Sequence, residues 1–174
     1  MILINLFAGP GAGKSTTAAG VFSALKQRDI SVELVTEYAK DLTWDESFGV
    51  LKDQVLVFAE QRHRLLRLAG KVKYVVTDSP MLTSVLYAGD ELRYFYGLVW
   101  EAQAAWPSMN YVLHRVKRYE QAGRTQTEQE AIEIDKKVEH MLQGIGYTGV
   151  PGGTQQAIDR IVDDVLDREA VNDA

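Results

Sequence analysis

Leu3-Ile4-Asn5-Leu6-Phe7-Ala8-Gly9-Pro10-Gly11-Ala12-Gly13-Lys14-Ser15-Thr16-Thr17 decides how the rest of the chain is read. An apolar run, a glycine-rich turn and a helix start follow one another without a gap. The end of the turn, Gly13-Lys14-Ser15, closes the Gly-x-x-x-x-Gly-Lys-Ser/Thr pattern of the phosphate-binding (Walker A) loop, with Ala8 in the place of the first glycine. Glycines let successive backbone N–H groups face inward around an anion, and the helix beginning near Gly13 adds the positive end of its dipole. Gly9, Pro10, Gly11, Ala12, Gly13, Lys14, Ser15 and Thr16 are therefore the candidate nucleotide-binding residues. In this pattern the lysine reaches the β and γ phosphates and the serine hydroxyl ligates Mg²⁺.

The remaining chain bounds the answer. With 174 residues and 46% hydrophobic content, one domain over 1–174 with a sizeable core is expected. No stretch of about 18 apolar residues occurs, and Met1-Ile2-Leu3-Ile4 runs straight into the first strand. Together with the lack of cysteine, these features predict a cytoplasmic protein. No cysteine and three scattered histidines leave no pattern for a structural metal site. The net charge of −5 is concentrated at the C-terminal end. Residues 159–173 hold six acids against two arginines, a net of −4.

Strand one is predicted over Ile2–Phe7, helix one over about Gly13–Arg28, and strand two over Val32–Thr36. Strand, helix and strand in this order begin a parallel α/β sheet. Ligands of such sheets gather at the carboxyl ends of the strands. Glu37, in Thr36-Glu37-Tyr38-Ala39-Lys40-Asp41, stands at such an end, either as an acceptor for a substrate proton or as a solvated loop acid. Trp44 and Phe48 read as packing or lid residues. Val50–Gly70 is predicted as one long helix with Val55, Phe58, Leu65 and Leu68 on its buried stripe. From Arg62 to Lys73 there is no acid, which suits either a polynucleotide backbone or a solvated helix face.

Tyr74-Val75-Val76-Thr77-Asp78-Ser79-Pro80 is an apolar run closed by an acid, the Walker B arrangement in which the carboxylate holds Mg²⁺. Asp78 is also a candidate general base, and residue types alone do not separate it from Glu37. Helices are predicted over Met81–Ala88 and Leu92–Ala105, and strand four over Asn110–His114. After it come Arg115, Lys117, Arg118 and Arg124 around Gly123, ahead of a helix over Glu128–Leu142. Phosphoryl transfer needs cations over the migrating group. Arg118 and Arg124, with Arg115 as a further candidate, are assigned to a lid over about 115–130. Strand five is predicted over Ile145–Val150 and a last helix over Gln155–Val171, with Pro151-Gly152-Gly153-Thr154 turning near the nucleotide base.

Neither the Asn-Lys-x-Asp nor the Asp-x-x-Gly signature of GTPases is present, and the chain is short for a ring-forming ATPase with a second helical subdomain. Ala8–Thr16, Thr36–Lys40, Thr77-Asp78-Ser79-Pro80 and Gly123-Arg124-Thr125-Gln126 together resemble a family of small bacteriophage P-loop kinases, distantly similar to thymidylate kinase and nicotinamide riboside kinase. Some members phosphorylate 5-hydroxymethyluracil bases already in phage DNA. Ser79-Pro80 departs from the thymidylate kinases, which have Arg after the strand-three acid. The resemblance implies a five-stranded parallel sheet of order 2-3-1-4-5 with helices on both faces. It also implies a Mg²⁺- and ATP-dependent kinase, in host cytoplasm if phage-encoded. Lys14, Glu37, Asp78, Arg118 and Arg124 would carry the reaction, and Ser15 and Asp78 the metal. The acceptor it implies is hydroxymethylated DNA; a nucleoside or nucleotide kinase and an ATP-switched interaction protein are the alternatives.

Overall fold

The computed structural model describes residues 1–88, 93–116, 118–120 and 126–172. Five strands, β1 (Ile2–Phe7), β2 (Val32–Val35), β3 (Tyr74–Thr77), β4 (Ser108–His114) and β5 (Thr148–Pro151), form one parallel sheet of order β2-β3-β1-β4-β5. This is the expected order. Central β1 is flanked by β3 and β4, with Ile4 opposite both Val76 and Met109.

Side chains alternate across β1, so one strand feeds two cores. Ile4 and Leu6 face α1 (Lys14–Lys26) and α8 (Gln155–Asn172), where Ala18, Val21, Leu25, Ala157, Ile161 and Val165 are buried. Leu3 and Phe7 face the other layer. That layer holds α4 (Gln54–Leu66), α6 (Phe95–Ala104) and α7 (Glu128–Leu142), which contribute Phe58, Leu65, Val99, Val138 and Leu142. Each fully buried leucine or phenylalanine contributes roughly 1.5–3 kcal/mol. The buried tyrosines Tyr74 and Tyr111 cross the first core and end on acids of α8. Their hydroxyls donate to Glu169 (2.6 Å) and Asp164 (2.9 Å). Part of the acidic C-terminal helix thus anchors itself to the sheet.

The segment after β2 differs from its expected form. Instead of a loop and one long helix, it makes three helices: α2 (Tyr38–Trp44), α3 (Phe48–Leu51) and α4. Asp53 causes the last break: its Oδ1 accepts from the N–H groups of Val55 (3.1 Å) and Leu56 (3.0 Å) and caps a new helix. The buried stripe of α4 is also rotated, running through Val57, Phe58, Gln61 and Leu65, while Val55 is 42% exposed. The predicted helix after Ser79 splits into a 3₁₀ turn (Met81–Thr83) and a short α5 (Ser84–Tyr87). Helix α7 keeps its predicted bounds, opened by a capping box between Thr127 and Glu130.

Candidate active site

All five strands run the same way, so everything that follows a strand lies along one edge of the sheet. That edge carries the loop after Phe7, Glu37 after β2, Asp78 after β3, Arg115 after β4 and Gly152 after β5.

The loop has the shape its glycines require. Gly11 and Gly13 sit at φ 82° and 91°, where a side chain is strained. Ala8 is buried in the α1/α8 core, which accommodates its methyl group. The Lys14 ammonium folds back over the loop and donates to the carbonyls of Ala8 (2.9 Å) and Gly9 (3.1 Å). The turn after β5 packs against the loop from behind: the Gly153 N–H donates to Thr17 Oγ1 (2.9 Å), and a Cβ on Gly152 would collide with the Ala12 carbonyl. This turn supports the loop; Thr17 is a contributor that the motif itself does not require.

Because β1 and β3 are direct neighbours, Ser15 and Asp78 meet. The Ser15 hydroxyl donates to Asp78 Oδ2 at 2.7 Å, and Asp78 Oδ1 is buried with no hydrogen-bond partner. A buried carboxylate oxygen without a donor, beside a hydroxyl, fits a hard divalent cation. No cluster of three or more metal-ligating residues exists among the described residues. The pair therefore suits Mg²⁺ brought in with phosphates, which needs only one or two protein ligands.

Glu37 faces a cavity of about 650 Å³ that also opens onto Lys14, Ser15 and Thr16. Its far wall comes from α2 to α4, with Trp44, Phe48, Leu51 and Val57. Trp44 and Phe48 are 63% and 45% exposed, so they line this space rather than fill a core. Gln61 holds the Glu37 segment: its Oε1 accepts from Tyr38 N–H and its Nε2 donates to the Thr36 carbonyl, both at 3.2 Å. A polar residue on the buried stripe of α4 was the sequence signal for this role. Burial pushes the Glu37 carboxyl above its ordinary value of 4.5; Lys14 opposes the shift and Asp78 adds to it. Tyr87 lines the same cavity, and burial, then Glu37, Asp135 and Tyr119, push its hydroxyl up.

The basic run from Arg62 to Lys73 does not form one free patch. Arg64 turns back onto α2, donating to Asp41 (2.8 Å) and the Thr36 carbonyl (3.4 Å) and stacking on Tyr38 at 5.0 Å. Lys73 pairs with Glu169 at 2.6 Å. It precedes β3, about 17 Å along the strand from Asp78. Two cations of the run that suited either a polynucleotide backbone or a solvated face thus pair with acids of the fold. Arg118 is exposed, and Arg124 lies outside the described residues. Arg115, by contrast, lies directly against the phosphate loop.

A family model described as an AAA domain matches residues 3–154. The chain belongs to this AAA domain family. Its match takes in the phosphate loop, Glu37, Asp78 and the turn after β5. No curated protein matches this AAA-domain chain by sequence. Among solved structures it is similar to deoxyadenosine kinase from M. mycoides with bound dATP, at 16% identity and a TM-score of 0.55, over 98% of this chain and 100% of that one. The same enzyme with products dCMP and a flexible dCDP bound is similar at 17% identity and a TM-score of 0.58, with the same coverage. At such identity the likeness shows the fold: this AAA-domain chain has the three-layer architecture of a P-loop kinase. Among the described residues, no helix is long and apolar enough to cross a membrane.

Proposed function

We propose that the chain is a kinase that moves the γ-phosphate of ATP, bound with Mg²⁺, to a hydroxyl of a nucleoside-sized acceptor. One observation carries this reading: the phosphate loop and the half-buried acid Glu37 open into the same 650 Å³ cavity, which has an aromatic far wall. That volume lies within the range of small-molecule sites. Trp44 and Phe48 suit the flat face of a heterocyclic ring. The fold shared with a protein described as deoxyadenosine kinase supports the nucleoside class.

In this reading the amides of Gly11 to Thr16 hold the triphosphate and Lys14 leaves the loop carbonyls to meet its β and γ phosphates. Ser15 and Asp78 hold Mg²⁺, which neutralises phosphate charge when bound. Asp78 is already engaged with Ser15, so Glu37 is the base. The acceptor oxygen attacks the γ-phosphorus, the bond to the β-phosphate oxygen breaks, the hydroxyl proton passes to the Glu37 carboxylate, and ADP leaves. Arg118 and Arg124 remain the proposed lid cations. Dependence on ATP fits the cytoplasmic location expected above.

The alternative acceptor, 5-hydroxymethyluracil in phage DNA, requires a flipped base in the same cavity. It draws less support, because Arg64 and Lys73 are committed to Asp41 and Glu169. Labelled ATP offered with free deoxynucleosides, with hydroxymethyluracil duplex and with no acceptor separates the readings. Label in a nucleoside is expected. Label in the duplex moves the acceptor to DNA, and free phosphate alone in every arm makes the chain an ATP-switched protein instead.

A further inference from the structure

We infer that Asp135 is a positioning residue for phosphoryl transfer: its carboxylate clamps Arg115 along the phosphate loop. The inference rests on the kinase reading and adds a residue outside every motif in the chain. Asp135 lies on α7, on the stripe Ala131, Asp135, Val138 and Leu142, whose other three members are fully buried. An acid on such a stripe needs partners, and Asp135 has one for each oxygen. Oδ1 accepts from the Gly9 N–H at 2.5 Å and Oδ2 accepts from Arg115 Nε at 2.5 Å. A second guanidinium nitrogen, Nη2, donates to the Ala131 carbonyl at 3.3 Å. The Arg115 and Asp135 side chains are only 17% and 21% exposed.

The clamp determines where the third nitrogen goes. A methyl group added to Gly9 would lie 3.0 Å from Arg115 Nη2, and one added to Gly11 would lie 3.4 Å from Nη1. The guanidinium therefore lies along the lip of the loop from Gly9 to Gly11, with Nη1 at the tip. The Tyr119 ring stands beside it, 5.9 Å from the guanidinium carbon and against Gly11. An arginine on a loop ordinarily loses rotamer freedom when it meets an anion. Here that loss is met on folding, and the cation stands beside the phosphates before they arrive. The same carboxylate ties the loop entry, through Gly9, to the helix that follows the lid.

A merely structural staple makes a different prediction from a positioning group. The test uses full-length Asp135→Ala, Asp135→Asn and Arg115→Ala proteins and the Asp135→Asn/Arg115→Ala double variant. For each, kcat and KM for Mg-ATP turnover, Mg-ATP affinity by calorimetry, and melting temperature are read. Arg115→Ala and Asp135→Ala are each expected to lower kcat by about tenfold or more. The Asp135→Asn/Arg115→Ala double variant, which keeps an acceptor for Gly9, should fall no further than Arg115→Ala alone, since both changes then act through one guanidinium. Asp135→Asn keeps an acceptor for Gly9 but turns a donor toward Arg115 and loses the ion pair; it should lose kcat while losing less melting temperature than Asp135→Ala, which also strands the Gly9 N–H. If Asp135→Ala fails to fold, Asp135→Asn, Arg115→Ala and their double variant still complete the cycle. Multiplying losses, or loss of melting temperature with kcat and KM unchanged, overturns the inference and leaves the kinase reading standing. Wild-type protein that neither binds nor turns over Mg-ATP overturns both.

Discussion

Ser15 and Asp78, sixty-three positions apart in the chain, are joined by a 2.7 Å hydrogen bond from hydroxyl to carboxylate. The contact exists because the strands that deliver them, β1 and β3, are hydrogen-bonded neighbours with Asn5 opposite Thr77. It leaves one buried carboxylate oxygen for a cation. Asp78→Asn should therefore lower turnover by about 10²–10³-fold and raise the Mg²⁺ concentration needed for half-maximal rate. Chelating magnesium should abolish wild-type turnover. An unchanged magnesium dependence in the variant would remove Asp78 from the metal site.

Lys14 is held by two loop carbonyls that it must leave to reach a phosphate. Lys14→Ala is expected to cost several orders of magnitude in kcat, because the charge it stabilises develops in the transition state. Circular dichroism should show the fold intact. A wild-type rate would refute the assignment.

Glu37 links the site to pH. Its folded-state carboxyl is raised above 4.5 by burial, so between 4.5 and that raised value the folded protein holds a proton the unfolded chain has released. Stability therefore falls as pH rises through this window. Glu37→Gln should melt above wild type at pH 8, and the gap should close toward pH 4.5. Its kcat should drop by about 10²–10⁴-fold, and wild-type kcat should climb with pH as the carboxyl ionises. Paired thermal melts and pH–rate profiles of the two proteins check both signs.

The turn after β5 makes a purely steric prediction. Gly152→Ala drives a methyl into the Ala12 carbonyl. The expected cost is about 1–3 kcal/mol in denaturant unfolding. Weaker Mg-ATP affinity should accompany it, since the loop must shift. Unaltered affinity would show that the turn does not support the loop.

Arg64 separates fold from nucleic-acid binding. Its ion pair with Asp41 and its contact with Tyr38 hold α2 against α4. Arg64→Ala should raise KM for the acceptor and cost about 1 kcal/mol or less, as its partners are partly exposed. Arg67→Glu, at an exposed position, should change neither. A loss of binding to hydroxymethyluracil duplex with a flatter salt slope in Arg67→Glu would restore the polynucleotide role of this helix.

How much was legible in the sequence follows from how local each signal is. The phosphate loop, the capping box of α7 and the acid closing β3 are written in neighbouring residues, because a turn, a cap or a strand end is decided by groups a few positions apart. The near-continuous apolar run of Ile2–Phe7, broken by Asn5, likewise announces a strand buried on both faces. Asp53 was legible in principle as a cap, yet the apolar spacing around it suggested a single helix; two backbone N–H groups seeking an acceptor outweighed that spacing. Gln61 and Asp135 carried only a faint sign, a polar residue on a buried stripe, because their partners lie 23 to 25 and 126 positions away.

By itself the sequence determined that an anion-binding loop opens a parallel α/β chain, since glycine φ angles and strand-to-helix order are local properties. Only the tertiary structure decided which acid faces the cavity beside the phosphate loop, which arginine lies on that loop, and which cations are taken up by the fold. Those outcomes depend on strand neighbours and helix rotation, and these are settled by the packing of two cores against one sheet.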